Sequence, residues 1–172
     1  MINKAKKAFA LLKAGDFDAF KEKTMTTAVR IPYRIRARIE DWRIGRVSVN
    51  GHIPSQFRQI GAYGTQSTDY RSLDHIFKTL PLRENDAFID VGCGEGRVLT
   101  YLYLRGFRGK LTGIELNPDV AATAAARTKN CENIRILCAN ALECRDTLRE
   151  ATVIYLYNPF DDTVLSQFIK AI

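Results

Sequence analysis

The sequence predicts an α/β fold with a doubly wound, mostly parallel sheet, and three observations lead there. From residue 87 onward, short apolar runs alternate with amphipathic or Ala-rich stretches. The apolar runs are continuous, as suits parallel strands covered on both faces. Between the first run and the first helix lie three glycines in five positions, Gly92, Gly94 and Gly96. A strand–helix–strand order of this kind implies crossover connections within one sheet.

The elements follow in order. Ala87–Val91 is the first strand, and Arg97–Leu104 reads as a helix stopped by Gly106. Lys110–Glu115 is the second strand. Pro118 stands where a first-turn proline belongs, ahead of an Ala-rich helix reaching Lys129. Asn133–Cys138 is the third strand, Ala141–Leu148 a short helix or turn, and Ala151–Tyr157 the fourth strand. Upstream, 51–68 reads as irregular. A helix is expected over 69–80, with Leu73, Ile76, Phe77 and Leu80 as its apolar stripe and Pro81 closing it. Only 15 residues follow Tyr157, room for one short helix. The sheet is therefore expected to be truncated after its fourth strand, leaving an apolar edge through which two copies can pair as a homo-oligomer.

The N-terminal region differs in charge. Residues 1–50 hold 12 Lys/Arg against 5 Asp/Glu, and 51–172 hold 14 of each, so the whole net charge of +7 lies in the first fifty residues. This predicts a basic helical arm over 1–50 and a neutral core domain over 51–172. Within the arm, helices are expected over residues 2–12, over 16–24, and between Pro32 and Gly45. The segment from Arg30 to Arg46, which holds the last, carries Ile31, Ile35, Ile39 and Trp42 at spacing near four. Such an arm is either a solvated basic face or a contact for anionic lipid or another polyanion. Nucleic acid is not expected as a partner, because no zinc-finger or RRM-like pattern is present. No apolar run is long enough to span a bilayer. Ala8–Leu12, ended by Lys13, is too short for a secretory signal. The expected location is cytoplasmic, or peripheral at the membrane surface. Cys93, Cys131, Cys138 and Cys144 lack CxxC spacing and there are two His, so reduced thiols are expected and no metal site.

In a doubly wound sheet the ligand lies beyond the carboxyl ends of the strands, at the point where the strand order reverses. The glycine cluster allows close approach of a ligand to the main chain there. Glu115 ends the second strand, 19 residues beyond Gly96, where a carboxylate can accept from two ribose hydroxyls. Asn140 follows the third strand, within reach of an adenine edge. Asn158-Pro159-Phe160 follows the fourth, beside the expected reaction centre.

Taken together, Phe88-Ile-Asp-Val-Gly-Cys-Gly-Glu-Gly-Arg-Val98, Gly113-Ile-Glu-Leu-Asn-Pro118, Ala139-Asn-Ala141 and Tyr155-Leu-Tyr-Asn-Pro-Phe160 resemble the class I S-adenosylmethionine-dependent methyltransferases, whose fold is Rossmann-like. The glycines run GxGxG, whereas the nicotinamide fingerprint is GxGxxG. The region from Gly45 to Tyr70 is also similar to a bacterial group of these enzymes with undefined substrates. The resemblance implies that S-adenosyl-L-methionine is the cofactor. It implies that Gly92, Cys93, Gly94 and Gly96 lie along its methionine and ribose, and that Asp90 orients the loop or the amino group. Glu115 would hold the ribose hydroxyls, with Leu116, Asn140 and Ala141 around the adenine. Tyr63 and Thr68 would close over the cofactor. Asn158, the Pro159 carbonyl and Phe160 would face the methyl acceptor, a nitrogen or oxygen nucleophile on an unidentified molecule. The family's amine enzymes carry Asn-Pro-Pro and an aromatic residue, and this chain has one proline before Phe160. No metal is implied. Alignment of the reactants alone can supply roughly 7–11 kcal/mol. The alternative is an inactive cofactor-binding module that acts through its basic arm.

Overall fold

The computed structural model describes residues 35–43 and 52–172. The chain divides into two compact units, Met1–Ile39 and Glu40–Ile172. The helices expected over 2–12 and 16–24, and the boundary expected at residue 50, lie outside the described residues. Residues 35–43 form helix α1.

The second unit holds the sheet. Strand β3 (Ala87–Val91) leads through helix α3 (Arg97–Leu104) to β4 (Lys110–Glu115). Helix α4 (Pro118–Thr128) leads to β5 (Ile134–Cys138), and the short α5 (Arg145–Arg149) to β6 (Val153–Leu156). Helix α6 (Asp162–Ala171) follows. Every pairing is parallel and the order is β5-β4-β3-β6, so the chain steps outward twice and then returns to the far side of β3. That reversal puts the switch point between β3 and β4 on one side and β6 on the other. Among the described residues β6 stands at one edge of the sheet and β5 at the other.

Alternation along β3 sorts its two faces. Ile89 and Val91 join Ile114, Leu148 and Phe168 in the buried apolar core. Phe88 turns to the other face, where it meets the rings of Phe77 and Tyr155, and Phe77 also stacks on Tyr101. Phe77 belongs to α2 (Tyr70–Thr79), which starts at Asp69, whose carboxylate accepts from Ser72 N–H. Asn117 caps α4 in the same way with Pro118 in the first turn, and Asp161 caps α6. Gly113 is required by packing: a Cβ there would stand 2.7 Å from Cys93 Sγ and 2.8 Å from Leu99 Cδ1.

One feature departs from the sequence expectations, and the faces of α1 add a second finding. The segment read as irregular contains a small antiparallel ladder, β1 (His52–Ile53) with β2 (Thr65–Gln66), and a 3-10 turn at Arg58–Ile60. Two residue pairs are too few to leave an alternation pattern. In α1 the apolar stripe, a pattern that ordinarily turns inward, is exposed: Ile35 and Ile39 are 54% accessible and Trp42 61%. The buried residue is Asp41. Its Oδ1 accepts from the Tyr70 hydroxyl, Arg97 Nε and Arg127 Nη2, and its Oδ2 accepts from Arg97 Nη2 at 2.9 Å. The Arg97 guanidinium also lies 5.1 Å from the Tyr70 ring centroid. Burial pushes the Tyr70 hydroxyl well above its ordinary range, and Asp41 adds to the effect.

Removing Asp41 leaves the buried Arg127 guanidinium and the largely buried one of Arg97 without their anion. Asp41→Ala is expected to destabilise the protein by about 3–5 kcal/mol, measured by urea denaturation.

Candidate active site

The loop after β3 is turned back onto the end of β4. Gly92 N–H and Cys93 N–H both donate to Ile114 O, at 2.8 and 3.1 Å. Gly94 N–H donates to Glu115 Oε2 at 2.9 Å, and Asn117 N–H to Glu115 Oε1 at 3.0 Å. The Glu115 carboxylate is thus fixed by a backbone donor on each oxygen, and each oxygen keeps further acceptor capacity. Burial raises its pKa, while the hydrogen bonds from Asn117, Gly94 and Leu116 pull the other way. The loop reaches this position through left-handed backbone at Gly92 and Gly94, with φ of +73° and +55°.

A cavity of about 340 Å³ opens beyond the carboxyl ends of β3, β4, β5 and β6. Gly92, Glu115, Leu116, Asn140, Ala141, Asn158, Pro159, Phe160 and Tyr63 all line it. Asn140 Oδ1 accepts from Leu142 N–H at 3.1 Å, which leaves its second lone pair and its amide hydrogens for a ligand edge. A narrower recess of about 20 Å³ adjoins the cavity through Thr65, Gln66, Gly92 and Tyr157, which line both. It takes in Thr68, Asp90, Cys93 and Gly94. Gly96 lines neither. It sits at the start of α3, with φ of +78° and its N–H on Cys93 O, against Ala124 and Thr128 of α4.

Asp90 has the most unusual environment of these residues. Its carboxyl is wholly buried, and Oδ2 has no hydrogen-bond partner. Burial, and then the neighbouring Glu115 carboxylate, push its pKa up to about 8. Cys93, on the same loop, is also raised by burial and by these two acids. Tyr155, on the adjoining strand, is raised mainly by burial, and its hydroxyl is paired with Thr68 Oγ1 at 2.9 Å.

The segment before the sheet forms one wall of the cavity. Tyr63 N–H donates to Pro159 O at 2.9 Å, Asp161 N–H donates to Gly61 O, and Ala62 bridges Phe160. One lone pair of the Pro159 carbonyl is therefore already used to hold this wall. The Pro159 ring lies over Gly92, and the Thr65 methyl lies over Gly94; a Cβ at either glycine would come within 2.7 Å of these atoms. Asn158 adopts φ +50°, uncommon outside glycine, and is solvent-exposed at the cavity mouth. Thr65, Gln66, Tyr157, Phe57 and Gln167 are lining residues that the motif reading misses. Tyr157 could have been found, since it directly precedes the Asn-Pro turn.

A glycine turn, an acidic residue ending the next strand and a switch-point cavity define a nucleoside-binding α/β domain. Residues 88–172 match the sequence profile of the methyltransferase domain family. The Mycobacterium tuberculosis protein Rv1506c, provisionally named a methyltransferase, is 39% identical over 54 residues, which are 31% of this chain and 32% of that protein. The match thus spans about a third of that relative. An RNA methyltransferase from Salinibacter ruber, solved with S-adenosyl-L-homocysteine, superposes with a TM-score of 0.52 at 23% identity, over 60% of this chain and 67% of the other. The precorrin 8W decarboxylase of Methanobacterium thermoautotrophicum gives 0.51 at 21% identity, over 63% and 57%. These two establish the fold. Residues 88–172, just under half of the chain, thus carry the methyltransferase domain, and the fold is the Rossmann-like one of the class I S-adenosylmethionine-dependent methyltransferases.

The residues present fit the cofactor of that class. The larger cavity has the size of an ordinary small-molecule site and carries a carboxylate, an amide and apolar walls for a nucleoside. The recess has room for roughly one water-sized group. It offers that group an orphaned buried carboxyl oxygen, which suits an ammonium.

The Asp90 environment has a consequence for stability. Between about pH 4 and pH 8 the unfolded chain has lost this proton and the folded chain keeps it. Stability should therefore fall as pH rises through that window and level off above it. Asp90→Asn should flatten the slope, leaving the smaller contribution of Glu115, which has the same sign. Denaturant midpoints at a series of pH values check this. Gly92→Ala should disturb the Pro159 turn, since its Cβ would overlap that ring at a positive φ, and lower the melting temperature.

Proposed function

We propose that this domain transfers a methyl group from S-adenosyl-L-methionine to a nitrogen or oxygen acceptor presented at Tyr157–Phe160. The observation that carries the reading is the fixed Glu115 carboxylate in the cavity together with the buried Asp90, whose Oδ2 has no partner, in the adjoining recess. When bound, the cofactor supplies a methyl group activated by a positively charged sulfur. Glu115 would accept hydrogen bonds from the ribose hydroxyls, and Leu116 and Ala141 would flank the adenine, with Asn140 at its edge. Asp90 would take the amino group. Tyr63 and Thr68, on the wall ahead of the sheet, would exclude water from the bound nucleoside. With one Pro159 lone pair already taken by Tyr63 N–H, orientation of the acceptor falls to the Asn158 side chain, with Phe160 beside it.

Glu115→Gln should weaken cofactor binding about 10- to 100-fold, as expected for loss of a charge-assisted hydrogen-bonding group. Calorimetry provides the measurement. Because Asp90 holds its proton at neutral pH, an ammonium entering the recess displaces it. Titrations in buffers of different ionisation heat should show proton release approaching one per ligand. Asp90→Asn should show none, and a buffer-independent heat in the parent protein would refute the Asp90 assignment. Transfer of isotope from labelled cofactor into fractionated cell extract tests the activity. Binding without any label transfer would rule out the proposed methyl transfer.

A further inference from the structure

We propose that helix α1 docks the protein on an anionic lipid surface, with Ile35, Ile39 and Trp42 inserted among the headgroups. At 100° per residue the three side chains fall within an arc of about 60° on one helix face. Each is more than half exposed, which is unusual for large apolar residues repeated on one face. Arginines border the stripe on both sides: Arg38 on one, Arg36 and Arg43 on the other. Arg38 and Arg43 are exposed, and Arg43 lies 3.7 Å from Glu40, its neighbour one turn back. The two acids of the helix, Glu40 and Asp41, lie away from the stripe, and Asp41 is buried.

An apolar stripe with tryptophan, flanked by cations, is the arrangement of a helix lying in the membrane interface. Tryptophan favours the headgroup level, where its ring is half apolar and its N–H can stay hydrated. The charge points to the kind of surface. All of the chain's net +7 falls in residues 1–50, and the rest of the chain is neutral. Nine helical residues offer little apolar area, so neutral lipid alone would hold α1 weakly, and attraction to anionic headgroups would supply the difference. A nucleic acid would use the arginines but not the isoleucines, because single strands are held by stacking on aromatic or guanidinium planes. No helix among the described residues is long and apolar enough to cross a membrane, so the contact would be peripheral.

The test uses the complete chain, in which Trp42 is the single tryptophan and reports on this face alone. Its emission should shift to the blue, and the protein should co-sediment, with vesicles of phosphatidylcholine mixed with phosphatidylglycerol. Phosphatidylcholine alone should do neither, and added salt should reverse the binding. Arg38→Ala should lower the partition coefficient about fivefold, the effect of one cation at such a surface. Ile35→Ser with Ile39→Ser should lower it about tenfold. Both variants should melt as the parent does, since these side chains are exposed. Failure of Trp42 to respond to anionic vesicles at low salt overturns the proposal. So does an unchanged partition for the isoleucine variant, or a Trp42 response confined to a single-stranded RNA oligonucleotide.

Discussion

The turn that follows β3 is held down on the end of β4, and the geometry of the site depends on that contact. Two amides of the turn converge on one carbonyl, Ile114 O, and a third amide reaches the Glu115 carboxylate. The contact is possible because Gly113 has no side chain: Cys93 and Leu99 occupy the space a Cβ would need. The same contact keeps Glu115 aimed at the cavity without help from a ligand. The loop amides are spent on internal bonds, so this turn works by shape and by the carboxylates it gathers.

Holding two acids so close has an electrostatic cost. Glu115 is anchored by backbone donors and Asp90 is not, so burial and mutual repulsion fall mainly on Asp90. Among the described residues no basic side chain is recorded as relieving it: Arg97 lines the same recess, but its guanidinium hydrogen-bonds Asp41 and the Thr68 carbonyl. A buried carboxyl without a partner is a strained arrangement, and such arrangements cluster where a ligand is expected to complete them. The wall formed by residues 55–66 adds a second constraint. It is tied to the turn after β6 by main-chain bonds at Gly61, Ala62 and Tyr63, so the cavity is shaped jointly by the segments before and after the sheet.

Much of this was legible in the residues themselves. The four strands are continuous apolar runs, the glycine spacing marks the turn after the first, and Asn117-Pro118 announces the helix that follows β4. These are local signals, decided within a few residues by sterics and capping, and so they survive without knowledge of the fold. Most of the residues between Asp90 and Ala141 that line the cavity and its recess were legible for the same reason, because they lie at or just beyond the ends of strands that can be recognised on their own.

Other features were settled only by tertiary contacts. The sequence of α1 reads as an amphipathic helix without saying which face meets solvent; the three-dimensional structure buries Asp41 and exposes Trp42, because two arginines from α3 and α4 supply the charge that Asp41 needs. The pairing of residues 52–53 with 65–66 leaves no periodic trace, being two residues long. Gly96 looks like its loop neighbours in sequence, but it packs on α4 and lines neither cavity, since the turn has already left the site by that point. Thr65 and Gln66 join the site through long-range packing alone. The sequence by itself determined the order of the elements and the chemical character of the strand ends. Only the tertiary structure decided which acid is anchored, which is left unpaired, and which face of α1 meets solvent, because those outcomes depend on partners far away in the chain.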